Sequence, residues 1–532
     1  MGKARRNRSQ ASGLDRRSVL KGLATLGAAP ALSACGEAGR QLSGPAPQVD
    51  ADVAVSFIHG VASGDPWDDS VVLWTRITPA EDTDEIPVAW EIARDEAMTD
   101  IVGSGVFVTD AGRDYTVKVV ATQLEPWTRY WYRFRCGEVV SMLGRTKTAP
   151  RAELALDQLR FAFSSCAWYS MGYFNAYRGI AERDDLDVVF TLGDYIYEYG
   201  GDELLSTPFA LGRYMAPGHE IVSLQDYRTR HALYKTDPDL QAAHAAHPWI
   251  CTWDDHESTN NSYADGADNH TEGEEGSWTE RKRTAMQVYF EWLPVREEYN
   301  PNTHPDAFLY RRLQYGDLVE FFVLESRLEG RSVQAENAEE AADPQRYMIS
   351  PQQEQWLIGG MRESTARWKV VAQQTMMSQL FIAPGVPYGY DAWDGYVAQR
   401  NRLFEAFAEI DDVVVITGDI HTSFCNELTV DPRDMAYQPG VSGSVGVEFV
   451  CPSISSQGLP LVVVNVLQLY NRHMRQAVGD LEIGHGYVVM TATPQRCEAA
   501  YRYMVSVRTP LKLELPGPVW GVNSGEKTLT RS

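Results

Sequence analysis

Basic side chains are scarce in this chain: 48 Lys and Arg stand against 72 Asp and Glu in 532 residues, a formal net charge of −24. A field of that sign repels nucleic acid and anionic lipid, so sequence-specific nucleic-acid binding is not expected. Any hold on phosphate must be local, made by cations or a few arginines inside a cleft. Cysteine pairs are missing too, because the seven cysteines are scattered without a CxxC, and zinc-finger frameworks are excluded. There is no internal repeat and no biased tract beyond the acidic ADGADNHTEGEEGS at 264–277, which reads as a solvated loop. The apolar run GLATLGAAPALSA, 22–34, is too short to span a bilayer comfortably.

What is present begins with an export signal. Residues 1–34 hold seven basic side chains (Lys3, Arg5, Arg6, Arg8, Arg16, Arg17, Lys21) against one acid, Asp15, ahead of that apolar run, the layout of a leader. RRSVLKG at 16–22 resembles a twin-arginine signal, departing from the usual pattern at Asp15 and Val19, and implies the export machinery that moves folded proteins. LSAC at 32–35 resembles a lipobox, implying cleavage before Cys35 and lipid on its sulfur; cleavage further on, near GPAPQ, is the competing reading. The expectation is an exported protein, periplasmic or at the cell surface, tethered through Cys35. Its net charge would be −30, since the leader carries away seven positive charges and one negative.

The rest is too long for one small core. After a linker at 35–53, residues 54–150 show short β signals (VSFIHGVASGDP, SVVLWTRI, PVAWEIA, YTVKVVA, RYWYRFRCG) separated by Gly, Asp, Pro and Thr, as in a small all-β sandwich. From 158 to 500 apolar runs that end on polar clusters alternate with helical stretches such as FNAYRGIAERD and QRNRLFEAFAEI. That is the pattern of a layered α/β domain with its site along one sheet edge. Residues 501–532 form a C-terminal extension, lying either across the cleft or over the sheet. Exported cysteines are free to pair, so Cys136, Cys251, Cys425, Cys451 and Cys497 are either bridged or simply buried.

Four of the strand ends carry metal-ligand chemistry. FSSCAWY presents Cys166, a thiolate for a transition metal or a small buried hydrophobe. LGDYIYEYG presents Asp194 and Tyr197, with Tyr195 and Glu198 beside them; TWDDHESTNN sets Asp254, Asp255, His256 and Glu257 in a row before Asn260 and Asn261. Consecutive side chains alternate in direction, so that row cannot serve one metal unless the backbone turns. In ITGDIHTSF, Asp419 and His421 would project together if the strand stays extended. Hard oxygens, imidazole and thiolate at four strand ends form what a polynuclear site needs, since buried carboxylates without cations repel one another.

GVASGDPWDDSVVLWTRI, FSSCAWY, LGDYIYEYG, DYRTRHALYKTDPDLQAAHAAHPWICTWDDHE, WKVVAQQTMMSQ, WDGY, TGDIHTSF, GVEFVCPSISS and HGYV occur in this order between about 57 and 495. Together they resemble the PhoD-type alkaline phosphatases and phosphodiesterases. The resemblance implies a β-sandwich followed by an α/β metallophosphoesterase domain of four layers, helices flanking two mixed sheets. Against the broader superfamily, Cys166 stands at the first aspartate, Asp194 keeps the GD position, Asp255, His256 and Glu257 replace N-H-E, and Asp419 with His421 replaces H-x-H. It implies Cys166, Asp194, Tyr197, Asp255, Asp419 and His421 as metal ligands, with Asp194 bridging and Asp254, Asn260 and Asn261 open. It also implies ferric iron with calcium as cofactors, with zinc, manganese and cobalt compatible, and His256 beside the leaving oxygen. Arg327 has two readings, a phosphate clamp or an ion pair, and LESR differs from the LDTR associated with the family, which leaves Glu325 without a ligand role. The implied activity is metal-dependent hydrolysis of phosphate monoesters or diesters. Phospholipid or wall-polymer diesters are the alternative substrates, and a noncatalytic lipid-tethered binding protein is the rival from another class.

Overall fold

The structure, a computed structural model, describes residues 41–201, 211–296, 309–479 and 484–532. The expected leader, 1–34, and lipobox cysteine, Cys35, lie outside the described residues. No helix among the described residues is long and apolar enough to cross a membrane.

The first β region is built from strands of strict alternation. Arg129–Cys136 buries Tyr130, Tyr132, Phe134 and Cys136 while the residues between them stay partly open, as the twofold period of a strand requires when one face is covered. It lies in a five-stranded sheet with Ile86–Ala93, Ile101–Thr109, Gly144–Lys147 and Val139–Val140. Trp90, Ile92, Tyr130 and Tyr132 of this sheet pack on Val71, Leu73 and Val117 of a second layer. That second layer is not confined to the β region. Its strands β1 (Val61–Gly64) and β2 (Val71–Arg76) continue a ten-stranded sheet through β3 (Leu159–Ser164), β4 (Val188–Thr191) and β5 (Pro248–Cys251). β1 joins β5 in parallel, with Ser63 opposite Pro248 and Trp249 opposite Gly64. Only glycine fits there, because a Cβ on Gly64 would lie 2.2 Å from the Pro294 carbonyl and 2.7 Å from that of Trp249.

The other flank of the same sheet is made by Gly486–Ala492, Arg496–Met504, Glu514–Asn523 and Thr530–Arg531, each antiparallel to the last. Half of the stretch expected as an extension thus hydrogen-bonds into the sheet.

A seven-stranded sheet faces the first. β6 (Val319–Val323), β7 (Trp368–Ala372), β8 (Val413–Thr417) and Gly446–Val450 run parallel at its centre. Their sequences VEFFV and VVVIT are buried throughout, the continuous apolar pattern of strands covered on both faces. Phe161, Phe163, Phe190 and Ile250 meet Phe321, Val370, Val414 and Ile416 between the sheets. Helices cover the outer faces, Leu224–Lys235, Pro238–Ala246 and Trp278–Trp292 on one side and Pro351–Glu363 and Val397–Ala408 on the other. The architecture is the expected one: an all-β region, then an α/β domain of two mixed sheets between helices. The carboxyl ends of β3, β4, β5, β6 and β8 come together at one edge, where the chain leaves each strand on a polar turn.

Candidate metal centre

The turns after β3, β4 and β8 begin with a break in backbone conformation. Cys166, Asp194, Asp419 and His421 have φ of 62°, 53°, 64° and 56°, left-handed values that cost a non-glycine residue ~1–3 kcal/mol and cluster at functional sites. The break corrects the extended-strand expectation for Asp419 and His421. β8 ends at Thr417, and the two side chains diverge into different groups of donors. Ligand atoms of Cys166, Asp194 and His421 lie within 4.8 Å of one another; so do those of Asp194, Asp255 and His256, and those of Asp254, Asp255 and Asp419. Asp194 belongs to two of these groups and Asp255 to two, so the three form one connected centre. The row after β5 does turn, which lets Asp254, Asp255 and His256 all contribute.

Two devices hold the turns of β4 and β5 together. Glu257 accepts from the main-chain N–H of Asp194 (3.1 Å), Tyr195 (2.6 Å) and Asp254 (2.9 Å). Gly193, at φ 106°, allows backbone approach, since a Cβ there would lie 2.3 Å from that of Asp254. Tyr197 donates its hydroxyl to Asp194 Oδ2 at 2.9 Å, lies 3.1 Å from His421 Nε2, and accepts from Ser456 Oγ at 2.8 Å. Its ring stacks on Trp168 at 4.7 Å.

Charge is badly unbalanced. Asp194, Asp254, Asp255, Asp391 and Asp419 gather around Arg327 and His256. Arg327 is wholly buried and gives Nε to Asp254, Nη1 to both oxygens of Asp391 at 3.0 Å and Nη2 to Asp419 at 3.3 Å. Its fork grips carboxylates. Burial pushes the carboxyls of Asp254 and Asp255 upward against the pull of Arg327, and Asp419 up to about 7. Asp194 goes the other way, to about 2, because the neighbouring His256 and His421 outweigh its burial. His256 is raised well above its usual range: burial opposes its charge, and Glu198, Asp255 and Asp194 overcome that. Its Nδ1 lies 2.6 Å from Glu198 Oε2.

Whether cations fit is decided by the oxygens left over. Asp194 Oδ1 and Asp254 Oδ2 are buried with no hydrogen-bond partner, and Asp255 Oδ1 has only Arg327 Nη2, at 3.6 Å; a carboxylate oxygen in that state is costly unless something positive meets it. Carboxylates beside one thiol, one phenol and imidazoles suit hard cations next to a transition metal. Asn260 and Asn261 enter through their backbones, donating N–H to Glu198 (2.7 Å) and Asp255 (2.6 Å), while the Asn261 side chain turns to Asp268. Glu325 braces the turn after β6, accepting from the N–H of Arg327 and Leu328 and from Trp253 Nε1.

Three participants escaped sequence reasoning. Glu198 was noted only as a neighbour of Tyr197. Glu257 holds the acid position of N-H-E, but nothing in the sequence marks it as a staple between two turns. Asp391 lies in a loop, YDAW, with no apolar strand before it to signal a site.

Residues 161–501 match the PhoD-like phosphatase family, and 44–150 match the N-terminal domain described for PhoD-like phosphatases. The chain belongs to the PhoD-like phosphatase family. Alkaline phosphatase D of Bacillus subtilis (strain 168) is 41% identical over 473 residues, 85% of this chain and 78% of that protein. A solved structure titled "Structure of PhoD" superposes with a TM-score of 0.82 at 37% identity, covering 90% of this chain and 92% of the other. The PhoD-like match encloses every donor from Cys166 to His421.

Proposed function

We propose that this protein hydrolyses phosphate esters, monoesters, diesters or both, outside the cytoplasm, with cations held by the donors gathered around Asp194 and Asp255. The observation that carries the reading is the pair of buried carboxylate oxygens without a hydrogen-bond partner, on Asp194 and Asp254, beside an Asp255 oxygen that only Arg327 approaches, at 3.6 Å. The likeness to alkaline phosphatase D supports it. Cys166, Asp194, Tyr197 and His421 would hold a transition metal, ferric iron in the first instance; Asp194, Asp254, Asp255 and Asp419 would hold harder cations such as calcium. When bound, these ions supply Lewis-acid polarisation of the phosphoryl group and an activated water. His256, kept charged by Glu198, gives a proton to the departing oxygen. Arg327, braced by Asp391 and Glu325, fixes Asp254 and Asp419 against their mutual repulsion. Export by the twin-arginine route and a lipid on Cys35 belong to the same proposal and rest on the leader sequence.

The test is metal analysis of the purified protein, run with assays on one chromogenic monoester and one diester. Iron and calcium are expected with the wild type, and Asp194→Asn is expected to lose turnover by at least about 10³-fold while the fold survives. An Asp194→Asn protein working at the parental rate would sink the assignment.

A further inference from the structure

A cavity of about 270 Å³ opens beside Asp419 and His421, one donor from each end of the centre. Its apolar walls are Met376, Leu380, Tyr388, Ala392, Ile420 and Leu459, with Ser378 and Gln457 as uncharged polar members. Among the described residues no lysine or arginine lines it. Three carboxylates do: Asp419 belongs to the centre itself, and Asp391 and Asp394 are each held by arginine. Asp391 is held by Arg327 and Arg331, and Asp394 accepts from Arg400 at 2.5 Å and the Leu380 N–H at 2.8 Å. A second phosphate in this space would meet aspartates with no cation to receive it. A cationic arm would find Asp394 already held by Arg400, and Asp391 by Arg327 and Arg331. What the walls favour is an uncharged apolar group.

The apolar character continues past the mouth. Tyr388 is half exposed at the rim, and Ile382 and Val386 are exposed on the hairpin before it. Just after Leu459, the helix Leu461–Tyr470 buries only Val464 and Leu467 and leaves Val462 70% and Leu469 78% exposed. The stretches 381–390 and 457–471 contain no charged residue, in a chain of which 23% is charged.

We infer that this cavity is the subsite for the organic arm of the ester and selects a short alkyl or single-ring group over phosphorylated or charged ones. The inference rests on the phosphoester reading, and it adds which arm the site accepts. A phosphonate head at Asp419 and His421 puts its one carbon chain among Leu380, Ile420 and Leu459. Each methylene withdrawn from water there contributes at most about 0.8 kcal/mol, a factor of roughly four.

Linear alkylphosphonates from methyl to hexyl test it on the full-length, metal-loaded protein, with binding followed by titration calorimetry and by inhibition of a chromogenic ester. The dissociation constant is expected to fall about two- to fourfold per carbon, then level off once the chain outgrows the cavity, with a heat-capacity change that grows more negative along the series. Leu459→Ser and Leu380→Ser should each flatten that slope; Leu459 is only partly buried, so its variant remains informative if Leu380→Ser fails to fold. A flat series, tighter binding of a phosphono-alkyl or trimethylammonio-alkyl arm of equal length, or a slope untouched by Leu459→Ser overturns the subsite. Absence of ester turnover counts against the hydrolase reading alone, because calorimetry reports on the cavity without it.

Discussion

At the scale of single residues, the centre depends on groups that never reach a phosphate. Glu198 is fully buried, spends one oxygen on His256 and the other on the Asn260 N–H and Thr259 hydroxyl. Glu198→Gln keeps the shape and removes the charge that holds the imidazole protonated. Proton delivery matters most when the departing oxygen is basic, so the variant should lose about 10²-fold or more on alkyl esters and much less on nitrophenyl esters. Steady-state kinetics across a set of leaving groups decides it; an equal loss on all of them would make Glu198 a brace only. Residue types were the most legible part of the sequence. Cys166, Asp194, Asp255, Asp419 and His421 each follow an apolar run, and the chemistry of their side chains is independent of the fold around them. Asp391 was invisible for the converse reason, since its place at Arg327 is set by a loop returning from elsewhere in the chain.

At the scale of elements, strands and helices announced themselves by period and by caps. The helix Leu224–Lys235 starts at a Ser223–Asp226 capping box, and Pro238–Ala246 starts behind Asp237 with proline in its first turn, both readable signals. The turns were not readable to the same degree. Extended geometry was the natural extrapolation beyond Thr417, yet the left-handed residues after it send Asp419 and His421 apart, and only tertiary contacts dictate that. These turns are also where cation removal should be felt. With a chelator present, the unmatched oxygens of Asp194, Asp254 and Asp255 repel, and amide hydrogen exchange in 193–198 and 254–261 should speed up by at least about tenfold, while β7 and β8 in the core exchange as before. Adding calcium back should restore part of the protection, and turns indifferent to the chelator would argue that Arg327 alone suffices to hold them.

At the scale of the whole molecule, one buried lysine makes a separable contribution to how stability changes with pH. Lys235 is buried against the Trp74 ring at 4.4 Å, its Nζ without a hydrogen-bond partner among the described residues, and burial depresses its pKa to about 7. The unfolded chain keeps this lysine protonated up to its ordinary value near 10.4. Between those two values the unfolded state therefore binds the extra proton, and unfolding free energy rises with pH across that window. His59 and His231 nearby, both depressed to about 3, stay neutral throughout and do not disturb it. Urea titrations from pH 7 to 10 should show the wild type gaining stability relative to Lys235→Met as pH rises; parallel curves would refute the assignment. The global outline, an all-β region ahead of a layered α/β domain, was legible from local patterns, but the union of the two through β1 and β5 was not. Nothing near Val61 names Pro248 as its neighbour.

That union has a consequence for how the chain acquires its shape. Ser63 pairs with Pro248, and Leu159 with Ala492, so the ten-stranded sheet is assembled from partners far apart along the chain. Closing loops of that length before any pairing is rewarded makes folding slow, and it leaves strand edges open meanwhile. During synthesis β3 must wait for Gly486–Ala492 to emerge before its second edge is covered. The turn bearing Cys166 can settle only after nearly the whole polypeptide has been made, which puts completion of the centre among the last events of folding.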